Sequence, residues 1–213
     1  MDAALLSLFT TAFVTFFVLI DAIGVAPIFA SLTARGPAPW RRKMAIKAII
    51  VAAIILFAFA LGGAWLLGAM HISIDAFRMA GGVLLFLLAL DMVFEKRTER
   101  RESRAEDVRN THDDLDDVSV FPIGIPMVAG PGTIATAMLY MSNAGGWLER
   151  GVVLGALGAN LVICLLIFLA AGPIVRALGE SIAAALTRIL GVILAALSIQ
   201  LLIDGIKGAF NLG

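Results

Sequence analysis

Long apolar runs separated by short polar ones dominate this chain. Stretches 4–33, 44–69, 72–94, 151–172 and 186–206 are each apolar over roughly the 20 residues that a membrane-crossing helix needs. A sixth run, 118–142, is equally apolar but contains Phe121-Pro-Ile-Gly-Ile-Pro-Met-Val-Ala-Gly-Pro-Gly-Thr133, with three prolines and three glycines. The pattern predicts an all-α polytopic membrane protein of six transmembrane segments, with one segment broken inside the bilayer. Non-helical backbone is tolerated at that depth only where protein buries it or a polar cavity receives it. A break there therefore points to a transport site.

The first run predicts a second break. Residues 4–33 would extend about 45 Å as one straight helix at 1.5 Å per residue, against a hydrocarbon core of about 30 Å. An interruption around Asp21–Pro27, with Gly24 between them, absorbs the excess. It also places the one carboxylate of that run, Asp21, among freed backbone groups. An ionisable group within a span is costly and usually faces a cavity. Asp21 can bind a proton, a sodium ion or a substrate amine, or it can cap the half-helix that follows it; the two roles are compatible. In the sixth run, Gly130-Pro131-Gly132-Thr133 forms a helix start whose open N–H groups suit a carboxylate, and Pro126 shares that neighbourhood.

Composition agrees with the pattern. The chain is 61% hydrophobic with a mean hydropathy of +0.99, where soluble domains are about half apolar. Net charge is zero, but the basic residues cluster in two places. Arg35, Arg41, Arg42, Lys43 and Lys47 form one group, and Lys96, Arg97, Arg100, Arg101, Arg104 and Arg109 the other. The positive-inside rule makes loops 34–43 and 95–117 cytoplasmic. Alternation adds 173–185 and leaves both termini outside. The first segment lacks a basic flank before its apolar core, so it is expected to stay in the protein rather than leave as a signal peptide. Cys164, the single cysteine, lies in an apolar run and reads as a packed thiol.

The chain reads as one transmembrane domain, 1–213, in two three-span halves, 1–94 and 118–213, joined by a solvated, mobile charged linker at 95–117. The halves echo each other. Arg78-Met-Ala-Gly-Gly-Val-Leu-Leu in the third span aligns with Arg188-Ile-Leu-Gly-Val-Ile-Leu in the sixth. Spans one and four are the interrupted ones. Three spans per half reverse direction, which predicts an inverted repeat, and paired broken helices mark transporter binding sites. Arg78 and Arg188 snorkel or support the breaks. Asn160 and Gln200 serve as interhelical hydrogen-bonding groups or line a solute path. No metal-ligand spacing, nucleotide-binding loop or nucleophile–base set is present in the sequence, so neither an enzyme, a cofactor nor a nucleic-acid partner is expected. The expected partners are a small-molecule substrate and the lipid bilayer, with proton or sodium coupling open and the oligomeric state undetermined.

The motifs also resemble a known family, the MarC (UPF0056, or NAAT) group of bacterial inner-membrane proteins. The resemblance rests on Asp21-Ala-Ile-Gly-Val-Ala-Pro-Ile-Phe29, Phe77-Arg-Met-Ala-Gly-Gly82, Pro122-Ile-Gly-Ile-Pro-Met-Val-Ala-Gly-Pro-Gly-Thr-Ile134, Arg188-Ile-Leu-Gly191 and Ile199-Gln-Leu-Leu-Ile-Asp-Gly205. It implies a six-span inner-membrane protein related to exporters of small solutes, with neutral amino acids the nearest substrate class. Ala22 stands where the family often has proline, and Val25 where it often has a polar residue, so specificity need not follow the relatives. Two readings result: a small-solute transporter working by alternating access, or a membrane scaffold or sensor acting through the 95–117 loop.

Overall fold

The computed structural model describes residues 3–111 and 117–210. Helices α1 (Ala3–Ile20) and α2 (Ala22–Leu32) together make the first membrane-length element. They are followed by α3 (Ala38–Ala69), α4 (Ile74–Val93) and α5 (Lys96–Thr111). An irregular segment, Ser119–Val128, leads into α6 (Pro131–Asn143), then α7 (Trp147–Leu169) and α8 (Ala171–Phe210). Among the described residues, five helical elements are long and apolar enough to cross a membrane. The segment Ser119–Val128 with α6, bent by 57°, makes a sixth if it is counted as one span.

The helices bury narrow stripes. On α7 the covered residues are Val153, Ala156, Leu157, Asn160, Leu161, Cys164 and Phe168; on α1 they include Ala12, Thr15, Phe16 and Leu19. This three-four spacing keeps one side of each helix against protein. The opposite sides stay apolar and exposed, as at Ile54, Leu61, Trp65, Val162, Leu166 and Val192. A surface of that kind fits lipid rather than water. Helices α4 and α8 pack antiparallel with glycine at the contacts. A Cβ on Gly82 would lie 3.0 Å from the Ser198 carbonyl, and one on Gly191 3.2 Å from the Ala89 carbonyl.

Three boundaries differ from the sequence expectation. The 173–185 stretch is not a loop: α8 begins at Ala171 and is interrupted only at Gly179, whose φ of 70° is left-handed. Helix α3 starts at Ala38, inside the expected 34–43 loop, because Pro39 is accommodated in a first helical turn. The 95–117 linker is a helix over Lys96–Thr111 and is docked, not solvated throughout: Arg101 and Ala105 are buried.

Candidate functional site

The first break is a single residue. Asp21 takes a left-handed conformation (φ 51°, ψ 50°), which Asp and Asn tolerate better than most side chains. Pro27, expected to help break the chain, lies inside α2 instead. Asp21 caps α2 by accepting from the Gly24 N–H at 3.3 Å, as an N-cap side chain does toward the third helical residue. Its other partners come from distant elements. Arg101 Nη1 of α5 donates to Oδ2 at 2.8 Å and Thr187 Oγ1 of α8 donates to Oδ1 at 3.2 Å. Gly24 must be glycine for this to fit, since a Cβ there would sit 2.5 Å from Asp21 Oδ2.

Arg97, one turn before Arg101, reaches the same break. Its Nη2 donates to the Leu19 carbonyl at 2.7 Å and its Nη1 touches the Met92 sulfur at 3.0 Å. Burial, and next the Arg101 charge, press the Arg97 guanidinium down to about 9, while Asp21 and Asp91 oppose the shift. It stays charged at neutral pH. Helix α5 thus supplies both the counter-charge for Asp21 and a donor for a carbonyl at the break. The sequence reading assigned these residues to a loop and missed them. The signal was the spacing Arg97, Arg101, Ala105, which puts three residues on one helix face, beside a buried carboxylate that required a cation.

The second break is built by residues before proline, which steric clash pushes to extended backbone. Phe121 (φ −127°, ψ 132°) and Ile125 (φ −129°, ψ 127°) both adopt it, and both following peptide bonds are cis. Gly124 lies between them where a Cβ would fall 2.8 Å from the Ser119 carbonyl. Helix α6 then starts with Gly130 at its N-cap and Pro131 next, without a side-chain cap. The first-turn N–H groups of Gly132 and Thr133 therefore have no side-chain acceptor.

A cavity of about 360 Å³ opens at this helix start. One wall is Pro126, Met127 and Gly130–Thr133; the opposite wall is Arg97, Arg100, Arg101 and Arg104 of α5, with Leu84, Leu87, Leu88 and Asp91 of α4. Arg100 pairs with Asp91, and Arg101 with Asp21. Four guanidinium groups against two carboxylates leave the cavity positive, and the α6 N-terminus adds to that. Such an arrangement can hold a carboxylate or another small anion.

A second cavity, of about 470 Å³, begins three residues further along α6. It is lined by Thr11, Thr15, Arg78, Thr136, Leu139, Tyr140, Asn143, Leu197, Gln200, Leu201 and Asp204. Apolar side chains pack on α6 at the wall of the first cavity nearer the second. Gly132 faces Leu88, Leu85 and Leu19, and Leu19 and Leu85 pack with Val18, Ala89, Met92 and Leu194.

The structure brings Pro126, Gly130, Pro131, Gly132 and Thr133 together in one wall. Asp21 and Gly24 stand behind that site: Asp21 is 1% exposed and does not line the cavity, and the cation it meets is Arg101. The two breaks do converge, since Leu19 beside Asp21 packs near Gly132. They converge toward the basic end of the bundle, though, not halfway along it: Leu88 lies only about 8 Å before the end of α4 at 1.5 Å per residue. Arg188 pairs with Glu95 at that end. Arg78 is at the other end, bonded to Asp75 and Asn143. Asn160 joins α7 to α1 through the Phe13 carbonyl at 3.0 Å. Gln200 bonds to Asp204 in the second cavity.

Residues 6–210 match the family described as MarC family integral membrane protein. The chain belongs to the MarC family. This MarC-family protein is 36% identical over 207 residues to a UPF0056 membrane protein of Methanocaldococcus jannaschii, covering 97% of this chain and 90% of the relative. It is 32% identical to the UPF0056 membrane protein YvbG of Bacillus subtilis, with 93% of each chain covered. It is 31% identical to the UPF0056 membrane protein YhcE of Escherichia coli, covering 93% of this chain and 91% of that one. No solved structure matches it.

Proposed function

We propose that this MarC-family protein carries small polar solutes, small neutral amino acids first among them, across the inner (plasma) membrane by alternating access. One observation carries the reading. Helix α6 borders an arginine-lined cavity at its first turn and a hydroxyl-lined cavity from Thr136 onward, and at the inner wall of the first, Leu19, Leu85 and Leu88 pack on Gly132. A solute moving along α6 would need these leucines to part, and opening first to one side and then to the other is the carrier cycle.

The relation of α4 to α8 supports an inverted repeat of three plus three spans. Gly82 meets Leu202 and the Ser198 carbonyl; Gly191 meets Met92 and the Ala89 carbonyl. Each helix thus sets a glycine against the other's backbone, one position away from the register that aligns Arg78 with Arg188, which pairs Gly191 with Gly81. Arg78 and Arg188, the aligned pair, form ion pairs at opposite ends of this helix pair. With the basic face toward the cytoplasm, the termini lie outside, and the arginine cavity is the inward chamber, suited to a solute carboxylate.

The test is counterflow in proteoliposomes with labelled alanine, serine and glycine. Saturable counterflow is expected for at least one. Gly132→Leu should abolish it, because the added side chain presses on Leu88 and Leu85, already 3.1 and 3.2 Å from its Cβ, and keeps them from parting; a thermal melt of the variant separates this from loss of the fold. Folded wild-type protein that exchanges none of the three would remove the amino-acid assignment.

A further inference from the structure

The second cavity contains a buried polar atom with no partner. Thr136 is 2% exposed, lines the cavity, and its Oγ1 makes no hydrogen bond. Buried hydroxyls are rarely left unpaired, and such an exception calls for a partner from outside the chain. The neighbouring hydrogen bonds show which kind. Thr15 donates its proton to the Thr11 carbonyl at 2.8 Å. The 3.1 Å bond between Thr15 and Tyr140 must then be donated by the Tyr140 O–H. The Tyr140 oxygen is left toward the cavity as an acceptor only.

Charge points the same way. Arg78 spends Nη1 on Asp75 at 2.7 Å and Nη2 on Asn143 at 2.6 Å, so its charge is met within the protein. Asp204 receives one neutral bond, from Gln200 Nε2 to Oδ1 at 2.8 Å. Among the described residues it forms no ion pair, and Lys207 one turn away does not reach it. The unmet capacity of the cavity is therefore a carboxylate oxygen and a phenol lone pair, which accept, a threonine hydroxyl, which can accept or donate, and the remaining N–H groups of Arg78, which donate. The carboxylate and phenol oxygens favour a cationic donor, and the threonine and arginine donors favour an accepting group on the same solute. An ammonium group, with three N–H donors and no acceptor, satisfies the accepting oxygens, and a second polar group on the solute can accept from Thr136 and Arg78. The volume of about 470 Å³ falls in the range of small-molecule sites.

We propose that this cavity is a binding site for a small primary amine carrying a second polar group, with Asp204 reading the ammonium and Thr136 and Tyr140 orienting the solute. The site deepens the carrier reading by giving its outer chamber a chemistry opposite to that of the arginine chamber. Its binding does not depend on transport.

The experiment is calorimetric titration of the purified full chain in detergent with ethanolamine, and with glycolate and ethylene glycol as anionic and neutral counterparts. Ethanolamine should bind and the other two should not bind at this site. Asp204→Asn should weaken ethanolamine binding about tenfold to a hundredfold, the range of a charge-assisted hydrogen bond. Thr136→Val, nearly the same shape and safe for folding, should weaken it about threefold to tenfold. No ethanolamine binding by folded wild-type protein, or equal binding by Asp204→Asn, would overturn the site. Asp204-dependent binding in a protein that exchanges no solute would keep the site and refute the carrier.

Discussion

Replacing Arg101 by Met should uncouple the first break from α5. The Arg101 and Asp21 side chains are 7% and 0% exposed, and their charged atoms lie 2.8 Å apart. At an effective dielectric of about 20, unit charges at that distance attract by roughly 6 kcal/mol. Desolvation offsets part of this, and the measured cost of removing one partner of a buried pair is about 3–5 kcal/mol. Asp21 would keep its bonds from Gly24 and Thr187, which places the expectation near the lower figure. For a chain of this size each kcal/mol moves the midpoint by about 2–4 °C, so Arg101→Met should lower the apparent Tm by roughly 10 °C. The assay is a thermal melt in one detergent at one scan rate, since unfolding of such a protein is rate-governed. Asp21→Asn added to Arg101→Met removes the stranded charge and should recover at least half of the loss. A shift below about 2 °C for Arg101→Met, the scale of an exposed pair, would show that α5 is not what neutralises Asp21. So would a double variant as unstable as the two single losses added together.

Other expectations follow from the same contacts and can be read by the same melts. Gly24→Ala should cost about 1–3 kcal/mol, typical of overpacking, because its Cβ would lie 2.5 Å from Asp21 Oδ2 and 2.7 Å from Thr187 Oγ1; a neutral result would refute the crowding. Asn160→Ala loses the bonds to the Phe13 and Ala156 carbonyls and should cost about 0.6–1.7 kcal/mol, the range for polar contacts between membrane helices. Burial acts to raise the Asp117 carboxyl, but hydrogen bonds from Lys47 and Ser119 and the Lys47 charge outweigh it and hold it below its usual range. A depressed carboxyl stabilises above its unfolded pKa, about 3.9, and loses that contribution as pH falls through the folded value. Asp117→Asn should therefore remove a small loss of Tm seen only below about pH 4, and no difference between the two acid profiles would dismiss it.

Hydropathy made the spans legible because lipid demands length and apolarity of each helix separately, whatever its neighbours. The Pro/Gly segment was legible for the same local reason: Pro122 and Pro126 extend the residues before them wherever they lie. The placement of α5 was not, because a segment so rich in Lys, Arg and Glu reads as solvated until a buried carboxylate 80 residues earlier claims Arg101. Asp21 stood out in the sequence as a charge among apolar residues, but its partner could not be named without the fold. The ammonium-type cavity was hidden more thoroughly. Thr15, Arg78, Thr136 and Asp204 sit on four different helices, and each alone is an ordinary polar residue within a span. Because α5 holds Asp21, deleting the 95–117 linker would damage the bundle as well as remove any docking surface. Point substitutions on the exposed side of α5, such as Glu102 and Glu106, are the cleaner probe of a scaffold role.

The glycine contacts between α4 and α8 have a practical corollary. With backbone against backbone at Gly82, Gly191 and Gly205, the two helices form a fixed ruler inside the molecule. Spin labels at the lipid-facing positions Val83 and Ile203 should keep a constant separation whether or not solute is present. Distances from that ruler to α6 would then report the opening and closing of either chamber directly, free of any drift in the frame of reference.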